Sequence, residues 1–216
     1  MKVSVIGSGR MGKGVVKTLA PCVNKLLWAS RDKGKIRSLL SENDLKHILP
    51  VSYAEALNTE IIFHTLWFRD VIPWAKENKK QLAGKILIDI ANPFTEDFSD
   101  FTLEWGKSAA EELQKVIPDT KVVGAFKNTF FQVFEEPIHD GLTSDVYITS
   151  DDENAKKIVM ALLSPTPFRV LDGGKLKNNR TIERITLFER ELAIRYGNYP
   201  YVSNRLFGFN NPKRIG

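Results

Sequence analysis

The stretch Lys2-Val3-Ser4-Val5-Ile6-Gly7-Ser8-Gly9-Arg10-Met11-Gly12 decides the fold. A short apolar run, Val3–Ile6, stops at Gly7. It gives way to Arg10–Leu19, where apolar residues recur at helical spacing until Pro21. Strand, G-x-G-x-x-G, helix is the arrangement that holds a dinucleotide diphosphate. Gly7 allows the tight turn at the strand end, Gly9 lets the backbone approach the anion, and Gly12 lets the helix pack close to the strand. The N–H groups at the helix start and the positive end of its dipole face the anion, and Ser8, Arg10 and Met11 add contacts there.

Which nucleotide is held is read about twenty residues further on, at the end of the second strand. An acid there would bond the ribose 2′-hydroxyl and repel a 2′-phosphate. This chain has Ser30-Arg31-Asp32-Lys33-Gly34-Lys35 instead. Arg31 offers a planar fork for a phosphate or a surface for adenine, Ser30 a hydroxyl, and Lys35 a point charge one turn into the next helix. These residues point to NADP(H). The competing reading has Asp32 bond the ribose of NAD and leaves Arg31 solvated.

Outward from this motif the periodicity alternates between strand and helix, the mark of an α/β sheet. Strands are expected at 25–29, 48–51, 61–66 and 86–90. Helices are expected at 33–40, at 52–57 with Glu55 three residues after Ser52, and at 70–82 with Pro73 in the first turn. Beyond Pro93 comes an acidic, aromatic loop over 94–101. Then follow a helix at 108–116, strands at 121–126 and 145–149, a helix from 150 to 163, a strand at 168–171 ending in a Gly173-Gly174 turn, a long helix at 178–196 and an irregular tail. The fold class is therefore α/β: a Rossmann-type, doubly wound, mostly parallel sheet with a small C-terminal helical extension. Residues 1–150 read as the NADP-binding domain and 151–216 as a C-terminal α/β extension packed on it, or the whole as one compact domain.

Composition sets the outer bounds. Hydrophobic content of 43% and charged content of 26% over 216 residues are those of a globular domain with a sizeable core. The net charge of +5 suits an anionic ligand, and Lys175-Leu176-Lys177 and Lys213-Arg214 are too short for a nucleic-acid surface. One cysteine, Cys22, excludes an internal disulfide, and three scattered histidines exclude a structural zinc site. No apolar run approaches the ~20 residues of a membrane span, and Met1 leads directly into the strand pattern. The expectation is a cytoplasmic protein with no metal, no membrane and no nucleic-acid partner.

Five stretches together resemble one family, the NADPH-binding reductases typified by deazaflavin (coenzyme F-420):NADP oxidoreductase and by the reductase domain of the six-transmembrane metalloreductases. They are residues 5–12; Ser30-Arg31 with Lys35; Ile88-Asp89-Ile90-Ala91-Asn92-Pro93; residues 122–129; and residues 171–176 with Arg180 and Glu183. The resemblance implies that Ser30, Arg31 and Lys35 hold the 2′-phosphate. It implies that Leu66 and Trp67, with Val71 nearby, line the adenosine or nicotinamide face, and that Ala91, Asn92 and Ala125 border the nicotinamide. It also implies NADP(H) as cofactor, a deazaflavin or flavin as co-substrate, and pairing of two copies through the C-terminal helices.

Hydride transfer between flat rings needs proximity and stacking more than acid–base groups. The chain has no Tyr-x-x-x-Lys pair and no Cys–His pair. His64 reads as a strand-end histidine and His139 as a loop residue. Asn128 and Thr129 either orient a ligand or cap a strand. Trp67, Phe68, Phe126, Phe130, Phe131 and Phe134 read as core or as the walls of a pocket for a flavin-like ring. Arg180 and Glu183, three apart, are placed to pair on the last helix, either fixing it against the sheet or touching the acceptor. The expected activity is NADPH-dependent reduction of a small planar acceptor. The rivals are a non-catalytic NADP(H)-binding redox sensor and a small-substrate NADP dehydrogenase.

Overall fold

In a computed structural model, residues 2–43, 45 and 47–208 are described, apart from the side chain of Lys33. Strand β1 (Val3–Ile6) leads through the glycine loop to helix α1 (Arg10–Leu19), then β2 (Leu26–Ala29), α2 (Lys33–Glu42), β3 (Leu49–Val51), α3 (Tyr53–Ala56) and β4 (Ile61–His64). Next come α4 (Phe68–Glu77), α5 (Lys79–Leu82), β5 (Ile86–Asp89), α6 (Ala109–Val116) and β6 (Lys121–Gly124). A small hairpin of β7 (Ile138–His139) and β8 (Leu142–Thr143) precedes β9 (Asp145–Ser150), α7 (Glu153–Leu163), β10 (Arg169–Gly174) and α8 (Asn179–Arg195).

The main sheet has the order β10-β9-β6-β5-β4-β1-β2-β3. Strands β1 to β6 are parallel, β9 runs antiparallel to β6, and β10 is parallel to β9. The first six therefore follow the doubly wound order 3-2-1-4-5-6. Its topological switch, where a ligand crevice opens at the carboxyl ends of the strands, lies between β1 and β4. The expected fold class is the observed one.

Alternation along the strands makes two cores, one on each face. Val3 and Val5 point to the face covered by α1, α2 and α7, with Val16, Ile36 and Val159. Ile6 points to the other, with Ile62, Val71 and Leu113. Ser4 also lies on that second face, fully buried, with its Oγ donating to the Ala56 carbonyl at 3.0 Å and 2.8 Å from Thr59 Oγ1. The Ser52–Glu55 capping box forms with both halves in place.

Two expected elements take another form, and the β7–β8 hairpin has no counterpart among the expected strands. The helix drawn over 70–82 is two, separated at Asn78, and it begins at Phe68, so Pro73 sits inside α4 rather than in its first turn. The side chain of Asn78 donates to the Trp74 carbonyl at 2.8 Å, which satisfies the end of α4 locally. The Gly173-Gly174 pair does not turn the chain away. It carries β10 through a register shift against β9, with Gly174 at φ +79°. The tail after Gly197 is irregular through Gly208. Lys213-Arg214 and the rest of residues 209–216 lie outside the described residues.

Candidate functional site

The carboxyl ends of β1, β4 and β5 open into one cleft. The glycine loop forms its first edge with Gly9, Arg10 and Met11. Gly7 adopts φ +116°, and a Cβ there would stand 2.2 Å from Thr65 Oγ1. A Cβ at Gly12 would stand 2.2 Å from the Gly7 carbonyl oxygen, so side chains are excluded at both positions by contact with backbone or its neighbours. Gly9 differs: a Cβ there would meet nothing within 4 Å. The space before it is open. No side chain caps α1, and its first turn carries no acid, so its N–H groups and dipole are presented to that space. An open cradle at an uncapped helix start fits a dinucleotide diphosphate.

Ser8 and Ser30 are joined across the ends of β1 and β2, Oγ to Oγ at 2.9 Å. Arg31 is exposed beside them, and the coulombic effect of its guanidinium reaches Tyr53. Asp32 caps α2, its Oδ1 accepting from Gly34 N at 2.8 Å and Lys35 N at 3.1 Å. One carboxylate oxygen of Asp32 is thus engaged in holding the helix start.

The second edge comes from β4 and β5, with Leu66, Trp67, Ala91 and Asn92 facing the cleft. Val71 and Ala125 do not line it. Val71 is packed in the core beneath α4, and Ala125 in the core on the other face. The aromatic wall includes Phe94, Phe98, Phe130, Phe131 and Tyr199. Phe126 lines the cleft as well, at φ +54°. Phe134 stands behind it as core, 5.1 Å from Phe126 and 5.8 Å from Phe168 between ring centroids.

Under the second edge lies a buried charge cluster. His64 Nε2 lies 2.9 Å from Asp89 Oδ1, and Lys127 Nζ stands 2.8 Å from Asp89 Oδ2 and 3.0 Å from Glu183 Oε1. Lys127 also donates to the Ala91 carbonyl, while Asp89 Oδ1 accepts from Ala91 N at 2.9 Å. Burial pushes the Asp89 carboxyl up, but the Lys127 ammonium and the His64 hydrogen bond outweigh it and hold it well below the usual range. Burial alone would lower Lys127, yet Asp89 and Glu183 together raise it. Glu183 is raised because burial outweighs Lys127 and the single Ala109 N–H, which its two carboxylate oxygens share at 3.0 and 3.1 Å. The cluster clamps the Ala91-Asn92 turn between β5 and α8.

Arg180 and Glu183 do not pair with each other. Arg180 holds Glu111 through two bonds at 2.8 and 2.6 Å, and Glu183 turns inward to Lys127, so both fix α8 to the body of the protein. Asn128 is buried and donates to the Asp145 carbonyl at 2.8 Å, whereas Thr129 lines the cleft. Sequence reasoning missed Lys127 as a buried cation and Arg190 and Tyr199 as cleft residues. Glu189-Arg190-Glu191 reads as a solvated charge run, and nothing local marks one of its members as inward-facing. No group of three or more potential metal ligands occurs among the described residues.

Comparison with known proteins bears on this site. Residues 2–93 match the family model described as NADP oxidoreductase coenzyme F420-dependent. Over 211 residues the chain is 28% identical to an F420-dependent NADP reductase of Methanocaldococcus jannaschii, covering 91% of this chain and 94% of that one. It is 28% identical to metalloreductase STEAP3 of Rattus norvegicus over 188 residues, which are 86% of this chain but 36% of that longer protein. The Arthrobacter sp. FB24 structure superposes with a TM-score of 0.80 at 24% identity, over 91% of this chain and 95% of its own.

Proposed function

From the premise that residues 2–93 carry the domain of the coenzyme-F420-dependent NADP oxidoreductases, we propose that the protein transfers hydride between the nicotinamide of NADP(H) and a deazaflavin or similar planar acceptor. The observation that carries this is the cleft itself. It has an open glycine cradle and aromatic walls, and no carboxylate, imidazole or ammonium group lines it among the described residues; the phenol that does, Tyr199, packs edge-on to Phe130 at 5.9 Å as part of the aromatic wall. A site reducing a ketone wants a proton donor beside the substrate oxygen. A site that brings two rings together wants apolar, flat walls and fixed orientation.

The nicotinamide, when bound, supplies the hydride. The protein's own residues bind and orient. Gly7, Ser8, Gly9, Arg10, Met11 and Gly12 hold the diphosphate, with the α1 N–H groups as donors. Ser30, Arg31 and Lys35 hold the 2′-phosphate, and Ser8 fixes the Ser30 hydroxyl. Leu66 and Trp67 form one wall, with Val71 supporting it from the core. Ala91 and Asn92 border the nicotinamide, held by the Lys127 cluster beneath, and Ala125 packs behind them. Aromatic surfaces exclude water from the ring-to-ring contact.

The same reading takes residues 1–150 as the nucleotide-binding part and 151–216 as an extension that closes the cleft with α8. It places the protein in the cytoplasm. No helix among the described residues is long and apolar enough to cross a membrane. It also pairs two copies through α8, whose Phe188 and Ile194 are exposed. The test is NADPH oxidation, followed by absorbance, with deazaflavin, FMN, FAD, quinone and ferric chelate offered in turn. Turnover with a deazaflavin or flavin is the expected result. Tight NADPH binding with no turnover on any acceptor would favour the redox-sensor reading instead.

A further inference from the structure

Three consecutive residues at the end of β2 grip the start of the glycine loop. Gly7 N donates to the Ala29 carbonyl at 2.8 Å. Trp28 Nε1 donates to the Gly7 carbonyl at 2.8 Å. Ser30 Oγ lies 2.9 Å from Ser8 Oγ. The bond from Trp28 differs in kind, because it reaches the loop from inside the core. Trp28 is fully buried with Val5, Val16 and Ile36. A buried indole N–H needs an acceptor, and here the acceptor is the first glycine of the motif.

The direction of that bond has a consequence for the loop. The peptide joining Gly7 to Ser8 is planar and trans, so its N–H points opposite to its C=O. The carbonyl is turned inward, toward the Trp28 indole and toward α1, where a Cβ at Gly12 would stand 2.2 Å from the oxygen. The Ser8 N–H is therefore turned outward, to the side on which Gly9 and Arg10 are exposed. That is the open side of the cradle, where a Cβ at Gly9 meets nothing within 4 Å. Gly7, at φ +116°, has no side chain of its own to hold this orientation. Deprived of the indole, the buried carbonyl regains a partner only by turning out to water. It then offers an oxygen, in place of an N–H, to an anion in the cradle.

Resting on the reading of this loop as the diphosphate site, we propose that Trp28 is a positioning residue for NADP(H). Its indole N–H locks the Gly7–Ser8 peptide with the N–H toward the diphosphate, and the side chain itself never touches the cofactor. Its effect falls on the diphosphate, which NADPH and NADH share, and not on the 2′-phosphate assigned to Arg31.

The test compares wild type, Trp28→Phe and a variant carrying benzothienylalanine at position 28, which keeps the bicyclic shape and replaces the N–H by sulfur. NADPH and NADH are titrated by fluorescence. Binding of 2′-AMP, which has the 2′-phosphate but no diphosphate, is read by competition. Loss of one buried hydrogen bond corresponds to roughly five- to hundredfold. Both substitutions should weaken NADPH and NADH by one common factor in that range and leave 2′-AMP within about twofold. The isostere preserves core volume, so it decides the matter where Trp28→Phe fails to fold. A ring that serves packing alone gives an isostere that binds as wild type does, or a loss shared by all three ligands; either result overturns the assignment. So does a changed preference between NADPH and NADH, which puts the damage at Ser30-Arg31. Gly9→Val, which fills the open cradle, separates this assignment from the reading beneath it. If Gly9→Val weakens NADPH while both position-28 variants bind normally, the Trp28 assignment alone falls. If the wild type binds neither dinucleotide, or Gly9→Val binds NADPH as wild type does, the diphosphate reading falls and takes the Trp28 assignment with it.

Discussion

Replacement of Lys127 by methionine is the sharpest probe of what holds the cleft floor. Methionine matches the length of the lysine stem but removes the ammonium that stands within 3.0 Å of two carboxylates. All three side chains are at most 1% exposed, so water cannot take its place. Breaking a buried ion pair by removing one partner costs about 3–5 kcal/mol. Here two acids lose their cation, but Asp89 keeps His64 and the Ala91 N–H, and Glu183 keeps the Ala109 N–H. We expect a loss of about 4 kcal/mol at pH 8, within that range. The pH dependence follows from the shifts. Glu183 is raised in the fold, so its contribution is present at acid pH and lost as pH rises through its folded value. Without Lys127 it holds its proton to higher pH still. Asp89 is depressed in the wild type, so its contribution is lost only below about pH 4, outside this range. The two stability curves should therefore draw closer, without meeting, toward pH 5 as the orphaned Glu183 takes up its proton. Urea unfolding followed by tryptophan fluorescence at pH 5 and 8 measures both, and Glu183→Gln in the same background should recover at least about 1 kcal/mol by removing an orphaned charge. A deficit under about 1 kcal/mol at pH 8, or one that grows on acidification, refutes the reasoning.

Other outcomes are equally open to measurement. Arg31→Ala should weaken NADPH about ten- to hundred-fold and leave NADH within about threefold, since it removes one charged bond to a group only NADPH carries; equal losses in fluorescence titrations contradict the 2′-phosphate assignment. Burial pushes Glu189 up to about 7, against a bond from Asn204 that lowers it. The fold thus binds this proton more tightly than the unfolded chain, and the wild type should lose about 3 kcal/mol of stability as pH rises from about 4.5 to 7. Glu189→Gln should flatten that part of the profile and be the more stable protein at pH 8; parallel profiles in urea would count against it.

Local sequence decided the parts of this protein whose physics is local. The glycine loop, the helix start at Arg10 and the Ser52–Glu55 cap depend on contacts a few residues apart, and the strands β1 to β6 are short apolar runs whose alternation faces two cores. The order 3-2-1-4-5-6 follows once the crossovers are right-handed and the first motif is a dinucleotide fold. Other features needed the chain to be brought together. Lys127 reads as an ordinary residue after a strand, and becomes a buried cation only because Glu183, 56 positions later, returns on α8 to meet it beside Asp89. Arg180 and Glu183 sit at pairing distance along a helix, yet each finds a tertiary partner with better geometry than the other offers. Arg190 lies in an acidic–basic run that any exposed helix face would carry. Periodicity records which side of an element avoids water, but a long charged side chain satisfies that pattern whether it ends in solvent or in a cleft. Only the angle at which α8 crosses the sheet decides between them.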